Sequence, residues 1–327
     1  MMLVSKPARA LWRRTRKVFE QKSIKVLHEA LAALPDDTSI SLLDIGAAGD
    51  IEPRWKKVSS LLDYTGFEPD RRSNAELIEK GSICKSYRII PKAVWDEEGI
   101  ININLCKKPM VSSHFMPNRE FLDRFKDSER FNIESNVSVE TTRLDDLGIK
   151  NSDFIKIDIQ GGELHALKGA TKLLKDTIGL ELEVEFLPLY QKQPLFGELV
   201  EFLGEFNFEF IDFVALCRWE RAAHNGFGQC VFGDALFLKS PEHLISSEGA
   251  NRPTIYKYLT ICLIYNRFDL IDKTLAMIDS LQLAKLAAFI EKLEPLRRKQ
   301  KRAQKISKIA SNLLNVSGHE YRSHLMY

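Results

Sequence analysis

Along this chain the spacing of apolar residues changes twice, and each change marks a boundary. In the first stretch Trp12, Phe19, Ile24, Val26, Leu27, Ala30, Leu31 and Leu34 recur at helical spacing. They predict an amphipathic helix over 8–34, stopped by Pro35, Asp36 and Asp37. Short apolar runs then alternate with helical ones. Strands are predicted at 40–45, 63–68, 86–94, 154–159 and 178–186, and helices at 53–62, 70–80, 163–174 and 194–206. The stretch after Gly99, with Asn102 and Asn104 set between apolar residues, reads as an added hairpin strand, and 137–142 as another. Residues 107–135 read as an irregular, partly helical insert. Two last strands, 208–216 and 230–238, flank a polar loop holding Arg218, Trp219, His224, Asn225 and Gly226.

Strands alternating with helices predict an α/β fold: a mostly parallel sheet with helices on both faces, the final hairpin adding one antiparallel strand. From residue 241 the period is helical throughout, through 255–259, 270–281 and 283–293. The expected organisation is therefore a basic amphipathic helix at 1–37, a ligand-binding α/β domain at 38–240, and a C-terminal helical extension with a basic tail at 241–327.

Charge sharpens this division. The net charge is only +2, too small to argue for nucleic acid by itself. Lysines and arginines nevertheless crowd both ends, Arg13, Arg14, Arg16 and Lys17 at one and Arg297, Arg298, Lys299, Lys301 and Arg302 at the other. Cys84, Cys106, Cys217, Cys230 and Cys262 form no CxxC pair, as expected for reduced thiols in a cytoplasmic protein. No apolar run reaches the roughly 18 residues that span a bilayer, and the N-terminus lacks the apolar core of a secretory signal.

Ligands of such sheets bind beyond the carboxyl ends of the strands. Asp44 and Gly46 close the first strand and Gly49 completes its turn; Glu68 closes the second, Asp158 and Gln160 the strand before Gly161-Gly162, and Glu185 the next. An acid before a glycine turn, followed by an acid after the second strand, suits a nucleoside whose ribose hydroxyls the second acid accepts. The turn lacks the three-glycine dinucleotide fingerprint and fits S-adenosyl-L-methionine better than a pyrophosphate. The competing readings are structural: Gly46 and Gly49 as a tight turn, Glu68 as a helix cap, Asp158 as a buried acid. Glu181 and Glu183 read as solvated or ion-paired, and His165 as a surface residue. His114 and His224 fall in loops near the rim; no histidine has metal-ligand spacing.

Asp44-Ile-Gly-Ala-Ala-Gly49, Gly66-Phe-Glu-Pro69, Phe154-Ile-Lys-Ile-Asp-Ile-Gln-Gly-Gly-Glu163 with the residues up to Gly169, Leu182-Glu-Val-Glu-Phe-Leu-Pro188 and Asp234-Ala-Leu-Phe237 together resemble the FkbM-type S-adenosylmethionine-dependent methyltransferases. The resemblance covers about 38–240 and implies a Rossmann-like seven-stranded sheet and methylation of a hydroxyl oxygen. It implies that Asp44, Gly46 and Gly49 hold the methionine part of the cofactor, that Glu68 holds the ribose, that Ala93 and Val94 lie near the adenine, and that Asp158 stands by the reacting methyl. Glu185 is the second catalytic candidate. The family commonly has Glu where this chain has Gln160. A carboxylate is a weak base for a sugar hydroxyl, so Asp158 is expected to orient that hydroxyl and take its proton late.

The expected acceptor is a glycan or small polar metabolite, shaped by the insert and the 217–229 loop. Three other readings stay open. A nicotinamide enzyme would need a third glycine and a Tyr-x-x-x-Lys pair. An amino-group methyltransferase of nucleic acid would usually carry an Asn/Asp-Pro-Pro-aromatic motif, which Asp158-Ile-Gln-Gly does not match. A non-catalytic module would use its helical tail for assembly. The basic helix at 8–34 packs on the core or lies on an anionic membrane surface.

Overall fold

The computed structural model describes residues 29, 38–49, 51–69, 83–221, 228–246, 252–278, 290–298 and 302. The helices expected at 8–34 and 70–80, and His224, Asn225 and Gly226, lie outside the described residues.

The chain divides into two compact units. One comprises Ser39–Glu52 and Ser59–Ala250. The other includes Pro53–Val58 and the described residues from 252 onward.

In the larger unit the strands are β1 (Ile40–Ile45), β2 (Leu62–Phe67), β3 (Ser86–Ile90), β4 (Ala93–Val94), β5 (Gly99–Cys106), β6 (Ile133–Thr142), β7 (Phe154–Ile157), β8 (Gly179–Glu185), β9 (Phe208–Trp219) and β10 (Gln229–Lys239). Seven of them form one sheet in the order β3-β2-β1-β7-β8-β10-β9. Strands β3, β2, β1, β7 and β8 run parallel, and β10 runs antiparallel to both neighbours. The expected Rossmann-like, mostly parallel seven-stranded sheet is the observed one. The order reverses at β1, between β2 and β7, and ligands of such sheets bind at that switch, outside the strand tips.

The two faces of this sheet differ. Leu43, Ile45, Ile155, Ile157, Leu180, Leu182 and Val184 form one core with Leu164 and Leu167 of the helix Glu163–Lys168 and Leu199 and Leu203 of the helix Phe196–Gly204. Each such side chain contributes about 1.5–3 kcal/mol by leaving water. The alternate residues Leu42, Asp44, Lys156, Glu181 and Glu183 point to the other face, because side chains alternate along a strand.

A second sheet, β4-β6-β5, is inserted between β3 and β7. Its presence corrects the strand expected at 86–94. The main-sheet strand stops at Ile90, where Pro91 has no N–H to give to the ladder. Ala93 and Val94 pair instead with Thr141 and Thr142 of β6. They do not close the third strand, and Val94 is buried in the main core, so their assignment to the adenine loses its positional basis.

The insert at 107–135 is partly helical, as expected, with turns at Pro109–Val111 and Ser128–Phe131 and a helix at Arg119–Leu122. It has its own core: Phe121, Leu122, Phe125 and Phe131 pack with Leu189, Tyr190 and Val231. The helix expected at 163–174 ends at Lys168, where the backbone of Gly169 lies against the Trp95 carbonyl and leaves no room for a side chain. Strand β9 runs through Cys217, Arg218 and Trp219, so the expected loop is shorter than 217–229.

In the smaller unit the helices Arg252–Ile264 and Phe268–Met277 form a hairpin turned at Asn266, which adopts φ 55°. Trp55 meets Tyr265 edge-on at 6.1 Å, and Arg297 is paired with Asp272 and Glu294. Among the described residues no helix is long and apolar enough to cross a membrane.

Candidate active site

The tips of β1, β2 and β7 bring Asp44, Glu68 and Asp158 to one edge of the sheet. Asp44 pairs in register with Gly66 of β2 and with Lys156 of β7. The chain turns directly after Ile45: the amides of Gly46 and Ala47 donate to the Phe67 carbonyl at 3.0 and 3.1 Å. That bond fastens the first turn to the residue before Glu68, whose own amide donates to Ile90. The carboxylates of Asp44 and Glu68 therefore sit on adjacent strand ends, as the sequence predicts, and both residues are buried.

Gly46 has φ 83°, and a methyl group there would collide with the carbonyl oxygen of Asp158. The turn passes so close to the β7 tip that no side chain fits. Gly49 has φ 111°, and among the described residues nothing lies within 4 Å of where its side chain would begin. One edge of the turn is thus packed on protein, and at the other no described residue comes close.

Asp44 accepts a hydrogen bond from the Tyr64 hydroxyl at 2.8 Å on Oδ2. Its Oδ1 is buried and has no hydrogen-bond partner. Burial raises its proton affinity above the ordinary carboxylate value; the Lys156 ammonium and the Tyr64 hydroxyl oppose this. Tyr64 in turn stacks on Tyr87, 4.9 Å between centroids, and burial followed by the Asp44 charge pushes its own pKa up.

Asp158 is the open member of the group, its side chain 40% exposed. Its Oδ2 lies 3.7 Å from the Lys156 ammonium, and its Oδ1 accepts from the Gln160 amide at 3.1 Å. The same Gln160 nitrogen donates to Glu183, and the Gln160 oxygen accepts from the Tyr190 hydroxyl at 3.2 Å. Gln160 adopts φ 57°, a left-handed conformation rare for a side chain of its kind. It is held there by the insert, since the Ser113 hydroxyl donates to its carbonyl at 2.7 Å. Asn104 organises the segment that carries Ser113, with its amide nitrogen within 3.1–3.2 Å of the carbonyls of Ser113, His114 and Phe115.

Behind Asp158 lie three buried carboxyl groups. Burial raises Glu163 to about 7, against a bond its Oε1 accepts from the Ile159 amide at 2.9 Å. Burial, then the charges of Asp158 and Glu185, lifts Glu183 well above its ordinary value; burial, then Glu163 and Asp158, does the same to Glu185. Glu181 and Glu183 are 3% and 9% exposed, which overturns the solvated reading. Glu185 does close β8, but at 1% exposure it lies inside the protein, with Oε2 lacking a hydrogen bond. His165 is not a free surface residue: it stacks on Trp95 at 4.3 Å, and its Nδ1 lies 2.7 Å from Asp96 Oδ2. The His114 ring lies 3.0 Å from the Asn102 carbonyl.

Sequence reasoning passes over Lys156, Tyr64, Glu163 and Tyr190. A signal for Lys156 exists in Phe154-Ile-Lys-Ile-Asp158, where the lysine alternates onto the face that carries Asp44.

Acids at the strand tips beside the point where the strand order reverses are the arrangement found in nucleoside-binding α/β enzymes. Residues 44–210, more than half of the chain, match the model of the methyltransferase FkbM domain. Over 196 residues the chain is 26% identical to the 2-O-methyltransferase NoeI of Sinorhizobium fredii (strain NBRC 101917 / NGR234), covering 57% of this chain and 79% of that protein. Among solved structures it is similar to the methyltransferase FkbM from Methylobacillus flagellatus KT, at 14% identity and TM-score 0.36, covering 60% of this chain and 43% of that one. It is also similar to the magnesium protoporphyrin IX methyltransferase ChlM from Synechocystis PCC 6803, at 10% identity and TM-score 0.34, covering 73% of this chain and 86% of that one. The chain thus spans less than half the length of the first of these structures. It belongs to the FkbM family of methyltransferases, and its cofactor is S-adenosyl-L-methionine. The residues present fit that group: Asp44 Oδ1 is buried without a hydrogen bond, and no described residue approaches Gly49 in the turn that follows.

Proposed function

We propose that this chain transfers a methyl group from S-adenosyl-L-methionine to a hydroxyl oxygen of a glycan or small polar metabolite. The observation that carries the reading is the half-open Asp158 carboxylate, clamped on both oxygens beside the cofactor turn. The 2-O-methyltransferase relative supports oxygen as the methylated atom.

The cofactor supplies, when bound, a methyl group on a positively charged sulfur that is its own leaving group. The residues of the chain do the rest. Asp44, Gly46 and Gly49 would hold the methionine part, the Asp44 carboxylate accepting from its ammonium group. Glu68 accepts from the ribose hydroxyls. Asp158 accepts a hydrogen bond from the acceptor hydroxyl, aims its oxygen along the displacement axis, and takes its proton late. Alignment of this kind can supply about 7–11 kcal/mol, and proton removal a further factor of ~10²–10⁴. Asp158 takes this role over Glu185, because a residue 1% exposed does not meet a soluble acceptor. The insert and the strand end at Arg218 and Trp219 shape the acceptor side.

Two measurements test the reading. Calorimetry with S-adenosylhomocysteine, the demethylated cofactor, gives a saturable affinity. A labelled-methyl screen of glycans, polar metabolites, nucleic acids and proteins then gives label on a hydroxyl oxygen of a glycan or metabolite. Label in nucleic acid alone, or cofactor binding with no transfer to any class, would replace it with one of the rival readings. Flotation of the full chain with anionic vesicles tests the membrane contact expected of residues 8–34.

A further inference from the structure

Lys156 occupies the centre of the polar face of the sheet. Its register partners are Asp44 on β1 and Glu181 on β8. Its ammonium lies 3.8 Å from Asp44 Oδ1 and 3.7 Å from Asp158 Oδ2, and its side chain is 14% exposed. Two carboxylates therefore share one half-buried cation, both at ion-pair distance. One of them closes the cofactor turn and is 8% exposed; the other is open to the acceptor side and is 40% exposed.

Resting on the reading that Asp44 holds the methionine end of the cofactor, we propose that Lys156 is a positioning residue that ties the cofactor turn to the acceptor-side carboxylate. Its charge keeps Asp44 available to the cofactor's ammonium group, while its contact with Oδ2 and that of Gln160 with Oδ1 fix the Asp158 carboxylate in one orientation.

The groups facing this centre come from each strand. Tyr64 of β2, Asp158 at the tip of β7 and Glu52 after the β1 turn act on Asp44; Asp44, Asp158, Glu181 and Glu52 act on Lys156. Burial favours the uncharged form of both partners, and the carboxylates outweigh it at Lys156, whose pKa is raised. For Asp44 the lysine is the largest opposing influence, ahead of the Tyr64 hydroxyl. Without Lys156, Asp44 keeps only that hydroxyl, and like charge from Asp158 and Glu52 goes unanswered.

The test is calorimetric affinity for S-adenosylhomocysteine across about pH 5 to 9 on the full chain, comparing wild type, Lys156→Met, Lys156→Arg and Asp158→Asn. In the wild type affinity falls on acidification as Asp44 takes up its proton. In Lys156→Met that fall begins ~1–3 pH units higher, the range by which a close opposite charge moves a carboxylate. Lys156→Arg, which keeps the charge, restores the wild-type profile. Asp158→Asn shifts the fall to lower pH, because it removes a like charge and leaves the lysine to Asp44 alone. A Lys156→Met profile superimposed on wild type, or a Lys156→Arg profile like that of Met, overturns the proposal. Should Lys156→Met fail to fold, an unmoved profile in the surface-open Asp158→Asn overturns it. Failure of the underlying reading is distinct: the wild type then binds no S-adenosylhomocysteine, or Asp44→Asn binds it as tightly as wild type.

Discussion

The two faces of the central strands are made from the same residues taken alternately, and they do opposite work. On one face Leu43, Ile45, Ile155, Ile157, Leu180, Leu182 and Val184 pack under two helices. On the other, Asp44, Lys156, Glu181 and Glu183 form a band of charge that is buried nearly as deeply. Central parallel strands are usually apolar on both faces. Burying one cation among several carboxyl groups does not favour folding, since desolvation opposes the ion-pair attraction. The apolar face makes the sheet, and the charged face lowers its stability while carrying the chemistry.

That contrast breaks cleanly under substitution. The largest effect is expected for Asp158→Asn. Methyl transfer falls by ~10²–10⁴, while the affinity for S-adenosylhomocysteine holds within a few-fold and the melting temperature barely moves. Single-turnover transfer of labelled methyl, set beside calorimetry, separates the two. Unchanged turnover would remove Asp158 from the mechanism. Leu182→Ala, on the opposite face of the neighbouring strand, gives the converse: a loss of about 2–5 kcal/mol in urea unfolding, with cofactor affinity kept by the folded fraction. Glu68→Ala is next. It weakens S-adenosylhomocysteine binding about 10- to 100-fold, the worth of one or two bonds to a charged acceptor, and leaves urea stability near that of wild type.

The smallest effect sharpens the contrast through pH. Burial raises Glu163 from 4.5 to about 7, so the folded chain binds a proton there that the unfolded chain has released. Between those values the native state holds more protons than the unfolded state, and stability falls as pH rises. Glu163→Gln keeps the oxygen that accepts from Ile159 and removes the titration. Melting temperatures of the variant should decline less between about pH 4.5 and 7 and lie above wild type at pH 8. A parallel decline in both proteins would mean that Glu163 does not titrate in this range.

The sheet was legible in the sequence because its signals are local. Apolar runs at 40–45 and 178–186, each ended by an acid or a turn, match β1 (Ile40–Ile45) and β8 (Gly179–Glu185) to within a residue or so. The placement of Asp44 and Glu68 at neighbouring strand ends follows from strand adjacency alone. The strand expected at 86–94 stops short because the apolar pattern continues through Pro91, while pairing needs the N–H that proline lacks. Glu181 and Glu183 look solvated in sequence because isolated carboxylates seldom lie inside.

The order of apolar, acidic and glycine residues determined by itself that this chain builds a parallel sheet with acids at its tips, since strand period and turn chemistry act over a few residues. Only the tertiary structure decided what those acids meet. Gln160 reaches Glu183, the insert reaches Gln160 through Ser113, and Asp44 meets Lys156 from a strand more than a hundred residues on. Contacts of that span depend on how strands are ordered across the sheet, and in this chain they fix which carboxyl groups are buried, which is bridged, and which one remains open to a substrate.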